Sequence, residues 1–405
     1  MQAIVRQPVA PPAAPAPVVV EVFTGSADVI EPLAAEWRAL CAEGACDQPF
    51  FRPEWIRTYL RAFAVDKTLL LVTVRRNGSL RAVLPLIEER ASLHGLPVRK
   101  LRSAANVHSC RFDLIHGTTD RAAAIQAIWT WLKQQTTWDV IELEDVPEGG
   151  AGEALTQTAA ADGYLHGRWE KPAGRALALP NAAGTTVQET VQKLLRSSLR
   201  KSLRRERRRL TAQGSLQLVC LNEYQAKPLE DFYQLERAGW KGKSDTAIAC
   251  AASTRQFYDE VAQAATQHGY FTLYSLLLND RPIAQQYCLT YHGCCYLLKP
   301  TYDEEFSQYS PGGLLLEDVV SDLVARGFRG YDFLSPPSFW KDRWANVQSA
   351  QSSWYIFCGG RRRFIGQALY AWKFQVASRA RQVKQQIQQK LKPNSQAGST
   401  QGADS

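Results

Sequence analysis

The chain has 405 residues and 45% apolar content, ordinary for a globular protein and enough for two full cores rather than one. No run approaches the roughly 20 apolar residues of a membrane span, so an integral membrane protein is not expected. The net charge of +9 divides unevenly, with +8 in residues 193–209, +9 in residues 361–392 and −8 in the remainder, which favours discrete anionic contacts over a general coat for nucleic acid. The nine cysteines form no Cys-x-x-Cys pair and the six histidines do not join them at zinc spacing. A reducing cytoplasm and no structural metal are therefore expected, with Cys294-Cys295 as buried packing.

In chain order, residues 1–17 hold five prolines and read as a disordered Pro/Ala-rich leader without a signal peptide's apolar run. Helical patterns cover 28–41, around Leu33, Trp37 and Leu40, and 53–63, where Pro53 suits the first turn. Strands at 69–75 and 80–88 flank Asn77-Gly78, a strong hairpin signal. A strand near 112–116, a helix over 120–135 and a strand over 138–143 follow.

The second half repeats this order. Helices are predicted over 228–238 and 253–267, and a hairpin joins 270–278 to 283–290 around Asn279-Asp280. A strand at 294–301 leads to a helix over 311–325, stopped by Gly327, and a strand at 331–334. His292, just before a glycine, reads as a turn residue rather than a base. Hairpin, strand, helix and strand thus occur twice, predicting two copies of one mixed α/β domain, 18–180 and 181–376. A basic helix end and disordered tail are expected over 377–405.

The copies differ at one helix start. Ser310-Pro311-Gly312-Gly313 offers a serine cap, a proline at the first position and bare glycine N–H groups, suited to a pyrophosphate or a carboxylate. Its counterpart ends in Asp120, which repels phosphate. Gly312, Gly313 and Leu314 are the candidate N–H donors; the alternative is that the glycines serve close packing. Nearby, Lys341 either stabilises charge in a tetrahedral intermediate or is a solvated loop lysine. Asp332 either takes a proton in a cleft or is a strand-end aspartate satisfied by backbone donors, and Tyr309 is a candidate general acid. The basic helix 193–209, with Leu195, Leu199, Leu203 and Leu210 on one stripe, either connects the domains or meets an anionic acceptor, membrane surface or RNA. The helix predicted from Ile365 to Leu391 ends in a basic stretch suited to an anionic membrane surface.

Several motifs in order resemble one known group. They are Gln48-Pro49-Phe50-Phe51-Arg52-Pro53-Glu54-Trp55, Ala238-Gly239-Trp240-Lys241-Gly242, Arg281-Pro282-Ile283-Ala284, the Ser310–Gly313 helix start, Tyr331-Asp332-Phe333, Trp340-Lys341 and Trp344. This series resembles the CelD/BcsL-type acetyltransferase-like proteins associated with bacterial cellulose and exopolysaccharide synthesis. The resemblance implies an α/β fold with mixed sheets: two tandem GNAT-like (acyl-CoA N-acyltransferase) domains with a C-terminal helix, related to the Fem-type transferases. It implies an acyltransferase using acetyl-CoA or another acyl-CoA as co-substrate, without a metal. In GNAT enzymes, amides at the helix after the fourth strand hold the pyrophosphate, which points to Ser310, Gly312, Gly313 and Leu314, with residues 308–313 in place of the usual Arg/Gln-x-x-Gly-x-Gly/Ala pattern. Trp340-Lys341 resembles the Fem-type aromatic-lysine pair that stabilises charge during transfer. The implied acceptor is a small-molecule or lipid-linked saccharide, admitted from the first domain, in a cytoplasmic protein, peripheral at the inner membrane if the basic helices touch it. The alternatives are aminoacyl-tRNA-dependent transfer, or a non-catalytic module docking to a polysaccharide synthase complex.

Overall fold

The computed structural model describes residues 16–44, 47–93, 95–181, 184–359 and 362–377. The expected leader therefore lies almost wholly outside the described residues, as do the tail and the basic end of the C-terminal helix. The first half runs β1 (Val19–Gly25), a 3-10 turn, α1 (Ala34–Glu43), α2 (Pro53–Phe63), β2 (Thr68–Arg76), β3 (Ser79–Leu93), β4 (Leu96–Ser103), β5 (Ile115–His116), α3 (Arg121–Gln134), β6 (Val140–Pro147), α4 (Ala151–Ala161), β7 (His166–Glu170) and β8 (Gly174–Ala178). The second runs α5 (Val187–Leu194), α6 (Ser197–Thr211), β9 (Leu216–Leu221), α7 (Ala226–Ala238), α8 (Trp240–Lys243), α9 (Ala252–Gln267), β10 (Phe271–Leu278), β11 (Arg281–Tyr291) and β12 (Cys294–Tyr302). It continues through α10 (Pro311–Ala325), β13 (Gly330–Asp332), α11 (Phe339–Asp342), β14 (Val347–Ser349), β15 (Gln351–Phe357) and α12 (Arg363–Tyr370).

The expected mixed α/β fold with two sheets is present. The first sheet has the order β1-β2-β3-β4-β6-β15-β7, with β5 beside β3; the second has β9-β10-β11-β12-β13-β8-β14. Only the fourth and fifth strands of each, β4 with β6 and β12 with β13, are parallel. The hairpin turns follow from their residues. Asn77-Gly78, Asn279-Asp280 and His292-Gly293 each place two consecutive residues at positive φ, the geometry that matches strand twist in a two-residue loop.

The two halves exchange a strand. In sixth position the first sheet takes β15 from the far end of the chain, and the second takes β8 from before residue 180. The division at 180 is thus crossed by a strand in each direction. The 193–209 helix is also divided, because Leu195 and Arg196 are extended between α5 and α6.

The core is layered. One face of the first sheet packs on α3 and α4 around Trp129, and one face of the second packs on α5, α6 and α10 around Leu203 and Leu315. The two inner faces share a third cluster that joins α1 and α2 to α7 and α9, with Trp55 edge-on to Phe257 at 5.2 Å. At this seam Arg111, in the loop between β4 and β5, meets Asp332 at the end of β13 (2.5 Å), both nearly buried.

Candidate active site

Register creates the site. β12 and β13 pair only from Cys294↔Gly330 to Tyr296↔Asp332, after which β12 continues to Tyr302 while the segment after β13 parts from it. A register shift between Tyr287 and Cys288 leaves Leu298 as an extra residue at this point. The unpaired half of β12 borders a cavity of about 370 Å³, closed by α6, α7, α8, the start of α10, and α11. That size fits a small-molecule arm rather than a large ligand held whole.

Another wall of the cavity is a polar pair, of which the sequence marked Lys241 within the Ala238–Gly242 motif but not Glu236. Lys241 Nζ donates to Glu236 Oε1 (2.8 Å) and to the Pro300 carbonyl (2.6 Å), so it occupies the exposed edge of β12. Glu236 is buried and also accepts from the Ile248 N–H (2.7 Å). The chain turns between α7 and α8 so tightly that a Cβ at Gly242 would lie 1.8 Å from the Arg237 carbonyl oxygen, which is why Gly242 follows Trp240-Lys241. Two glutamines of β11 reach the cavity as well. Gln286 accepts from the Tyr331 hydroxyl (2.9 Å). Gln285 donates to Ser275 Oγ (2.9 Å), and its Oε1 is buried without a partner. Strand alternation alone gave no signal for either, because their placement depends on where β13 leaves. Trp240 and Trp340 line the mouth and are 58% and 40% exposed.

The helix start is at the cavity but is built differently from expectation. Ser310, Gly312 and Gly313 line it; Leu314 is fully buried and outside it. Ser310 does not cap α10 with its side chain. It is left-handed (φ 50°, ψ 52°) because it also ends the 3-10 turn Glu304–Tyr309, donating its N–H to the Ser307 carbonyl (3.0 Å). Its carbonyl accepts from Gly313 (2.9 Å) and Leu314 (3.1 Å), so Leu314 spends its N–H on the first intrahelical bond and is no donor to a ligand. Gly312 is the position whose N–H precedes those bonds. The two glycines have separate reasons: a Cβ on Gly313 would press Leu203 of α6 at 3.3 Å, whereas one on Gly312 would meet only the Tyr302 ring, at 3.8 Å.

The three predicted catalytic residues do not line the cavity. Asp332 is an ion-pair partner of Arg111 and accepts from the Leu334 N–H (2.8 Å), the strand-end role. Lys341 lies on α11; Trp340 of that helix and Arg343 and Trp344 just after it line the cavity, but Lys341 Nζ turns back to the Pro336 carbonyl (2.9 Å), and burial lowers its pKa. Tyr309 lies under the Arg209 guanidinium, 4.9 Å from its ring centroid. The basic helix α6 contributes in an unforeseen way: Leu199, Ser202 and Leu203 line the cavity, while Lys201, Arg204 and Arg208 are exposed.

Among the described residues no cluster of His, Cys, Asp or Glu is arranged to hold a metal ion, and no helix is long and apolar enough to cross a membrane.

Residues 197–342 match the family model described as "Acetyltransferase (GNAT) domain". No curated protein matches the chain in sequence. Among solved structures, FemX is similar with a TM-score of 0.55 at 12% identity, covering 86% of this chain and 98% of its own. L-PGS from Bacillus licheniformis is similar at 0.51 and 10% identity, covering 84% and 95%. The C-terminal domain of a putative lysylphosphatidylglycerol synthetase from Agrobacterium fabrum is similar at 0.50 and 11%, with the same coverages. At these identities the likeness is one of fold, extending over both sheets. The splayed strand pair lies within residues 197–342, the stretch that matches the GNAT acetyltransferase domain, and this match supports an acyltransferase.

Proposed function

We propose that the chain moves an acetyl or other acyl group from acyl-coenzyme A to a saccharide or cell-envelope precursor in the cytoplasm, as its resemblance to the CelD/BcsL-type proteins implies. The observation that carries the donor assignment is the departure of β13 from β12 beside the start of α10. It leaves a strand edge for an extended, amide-bearing arm, beside the Pro300 carbonyl that Lys241 already holds. The Gly312 N–H and the Ser310 hydroxyl would meet the pyrophosphate at the helix N-terminus, with Arg343 across the cavity as a cation. The 370 Å³ volume suits the acyl-pantetheine end, with the adenosine outside against the exposed tryptophans. The half preceding residue 180 would then present the acceptor, and the later half the donor. The thioester supplies an activated carbonyl and a thiolate leaving group; the protein's part is to hold it, exclude water and receive the acceptor's proton.

A second reading, transfer from aminoacyl-tRNA, draws on the exposed cations Lys201, Arg204 and Arg208 beside the cavity. Titration calorimetry with acetyl-coenzyme A and with bulk tRNA separates the two. Acetyl-coenzyme A is expected to bind wild type but not Gly312→Asp, a change that sets a carboxylate at the anion position without crowding α6. Undiminished binding by that variant refutes the pyrophosphate position. Absence of acetyl-coenzyme A binding, with salt-sensitive tRNA binding, replaces the first reading by the second.

A further inference from the structure

One cation is built into the wall of the cavity. Lys241 of α8 lines it with only 16% of its side-chain surface exposed. Its Nζ is fixed from two elements: the Glu236 carboxylate of α7 accepts one N–H (2.8 Å) and the Pro300 carbonyl of β12 a second (2.6 Å). The Glu236 side chain is wholly buried and also bonded to the Ile248 N–H (2.7 Å), so the counter-charge is as firmly held as the cation. The backbone is pinned too, because the Lys241 carbonyl accepts from the N–H groups of Thr246 (2.8 Å) and Ala247 (3.1 Å). An ammonium group has three N–H donors, and the third has no acceptor among the described residues. Leu203, Leu315 and Leu316 of the same lining are buried and apolar, a setting in which a fixed donor acts more strongly than in water. The other cation of the lining, Arg343, lies with its guanidinium 5.9 Å from the ring centroid of Phe339, itself 83% exposed, so it belongs to the mouth.

Resting on the thioester-donor reading above, we propose that the remaining N–H of Lys241 Nζ binds the thioester carbonyl oxygen and stabilises the oxyanion formed there, with Glu236 as a positioning residue. The acceptor's nitrogen or oxygen forms a bond to the carbonyl carbon, and the C=O π pair moves onto the oxygen, where the ammonium meets it. That pair returns as the C–S bond breaks, its electrons leaving on sulfur. The acceptor's proton is received and passed to water, and the thiolate takes one from water, so nothing else is consumed. Lys241 keeps its own protons throughout. A fixed ammonium holds the oxyanion more strongly than the neutral carbonyl, so it speeds turnover more than it tightens donor binding.

The test uses the full chain with Lys241→Met, alone and combined with Glu236→Gln, which removes the stranded carboxylate but keeps an oxygen for the Ile248 N–H. Calorimetry compares two thioethers: S-ethyl-coenzyme A, which lacks the acyl oxygen, and S-carboxymethyl-coenzyme A, which sets a carboxylate on the atom after the position of the thioester carbon. Wild type is expected to prefer the carboxylate by about 10-fold. Both variants should lose that preference while binding S-ethyl-coenzyme A within about 3-fold of wild type. Thiol release from acetyl-coenzyme A, with glucosamine as the probe acceptor, should fall about 100-fold in kcat with little change in KM. If glucosamine is not accepted, the binding comparison decides alone, and if the single variant does not fold, the double variant decides. No preference in wild type overturns the proposal without any variant, and so does a preference that survives in the double variant. An equal loss of both thioethers also overturns it, because Lys241 would then hold an amide of the arm or merely support the wall. Failure of wild type to bind either thioether or acetyl-coenzyme A overturns the donor reading instead.

Discussion

Replacing Arg111 by methionine separates a structural Asp332 from a catalytic one. Arg111 and Asp332 each keep about a tenth of their side-chain surface exposed, at 2.5 Å from one another. Removing the guanidinium leaves a buried carboxylate with the Leu334 N–H as its recorded donor, and such uncompensated charges cost about 3–5 kcal/mol. The freed Gln48 carbonyl, bonded to Arg111 at 2.7 Å, is partly exposed and rehydrates, so it adds little. Adding Asp332→Asn removes the stranded charge but keeps an oxygen for Leu334. The double variant should therefore recover about 2 kcal/mol or more of the loss, a coupling expected of residues in direct contact. Urea unfolding followed by tryptophan fluorescence measures all four members of the cycle. A loss below about 1 kcal/mol in Arg111→Met, or a double variant no more stable than the single, refutes the reasoning. In that case Asp332 would be free for chemistry.

Two further perturbations address the seam and the strand exchange. Truncation after residue 346 removes β14 from the edge of the second sheet and β15 from the interior of the first, uncovering β6 and deleting the buried Ile356 and Phe357. The truncated chain should lose cooperative unfolding in both halves; a soluble fragment with one sharp transition contradicts the exchange. At His108 the folded pKa, about 4, lies below the ordinary value of about 6.5. Between those values the unfolded chain takes up a proton that the folded chain refuses, so stability falls as pH drops from 6.5 toward 4 and levels below it. His108→Phe keeps the ring stack on Phe63 (5.3 Å between centroids) and should lose less stability between pH 7 and 5 than wild type does. Equal losses in urea midpoint for the two proteins would refute that account.

The legible parts of this chain were those fixed by short-range chemistry. Asn77-Gly78 and Asn279-Asp280 specify turns through backbone conformations that few other residues adopt, and Pro53 and Pro311 mark helix starts through a fixed φ. β8 and β15 were not legible as an exchange, because a strand's sequence records which face is buried and not which sheet supplies its neighbours. The same limit explains the site. Ser310 looked like a helix cap because serine usually is one; its conformation is instead set by the turn it closes, which the sequence places immediately before α10. Lys241 and Lys299 are ordinary lysines by composition, 58 residues apart in the chain. The first becomes a paired wall of the cavity because β13 leaves β12 after Tyr296, and the second lies over the Tyr258 ring. The cavity in this chain follows from where a strand stops pairing. The helix-start glycines locate that place in the sequence, while the rest of its lining is supplied by elements that only the fold brings together.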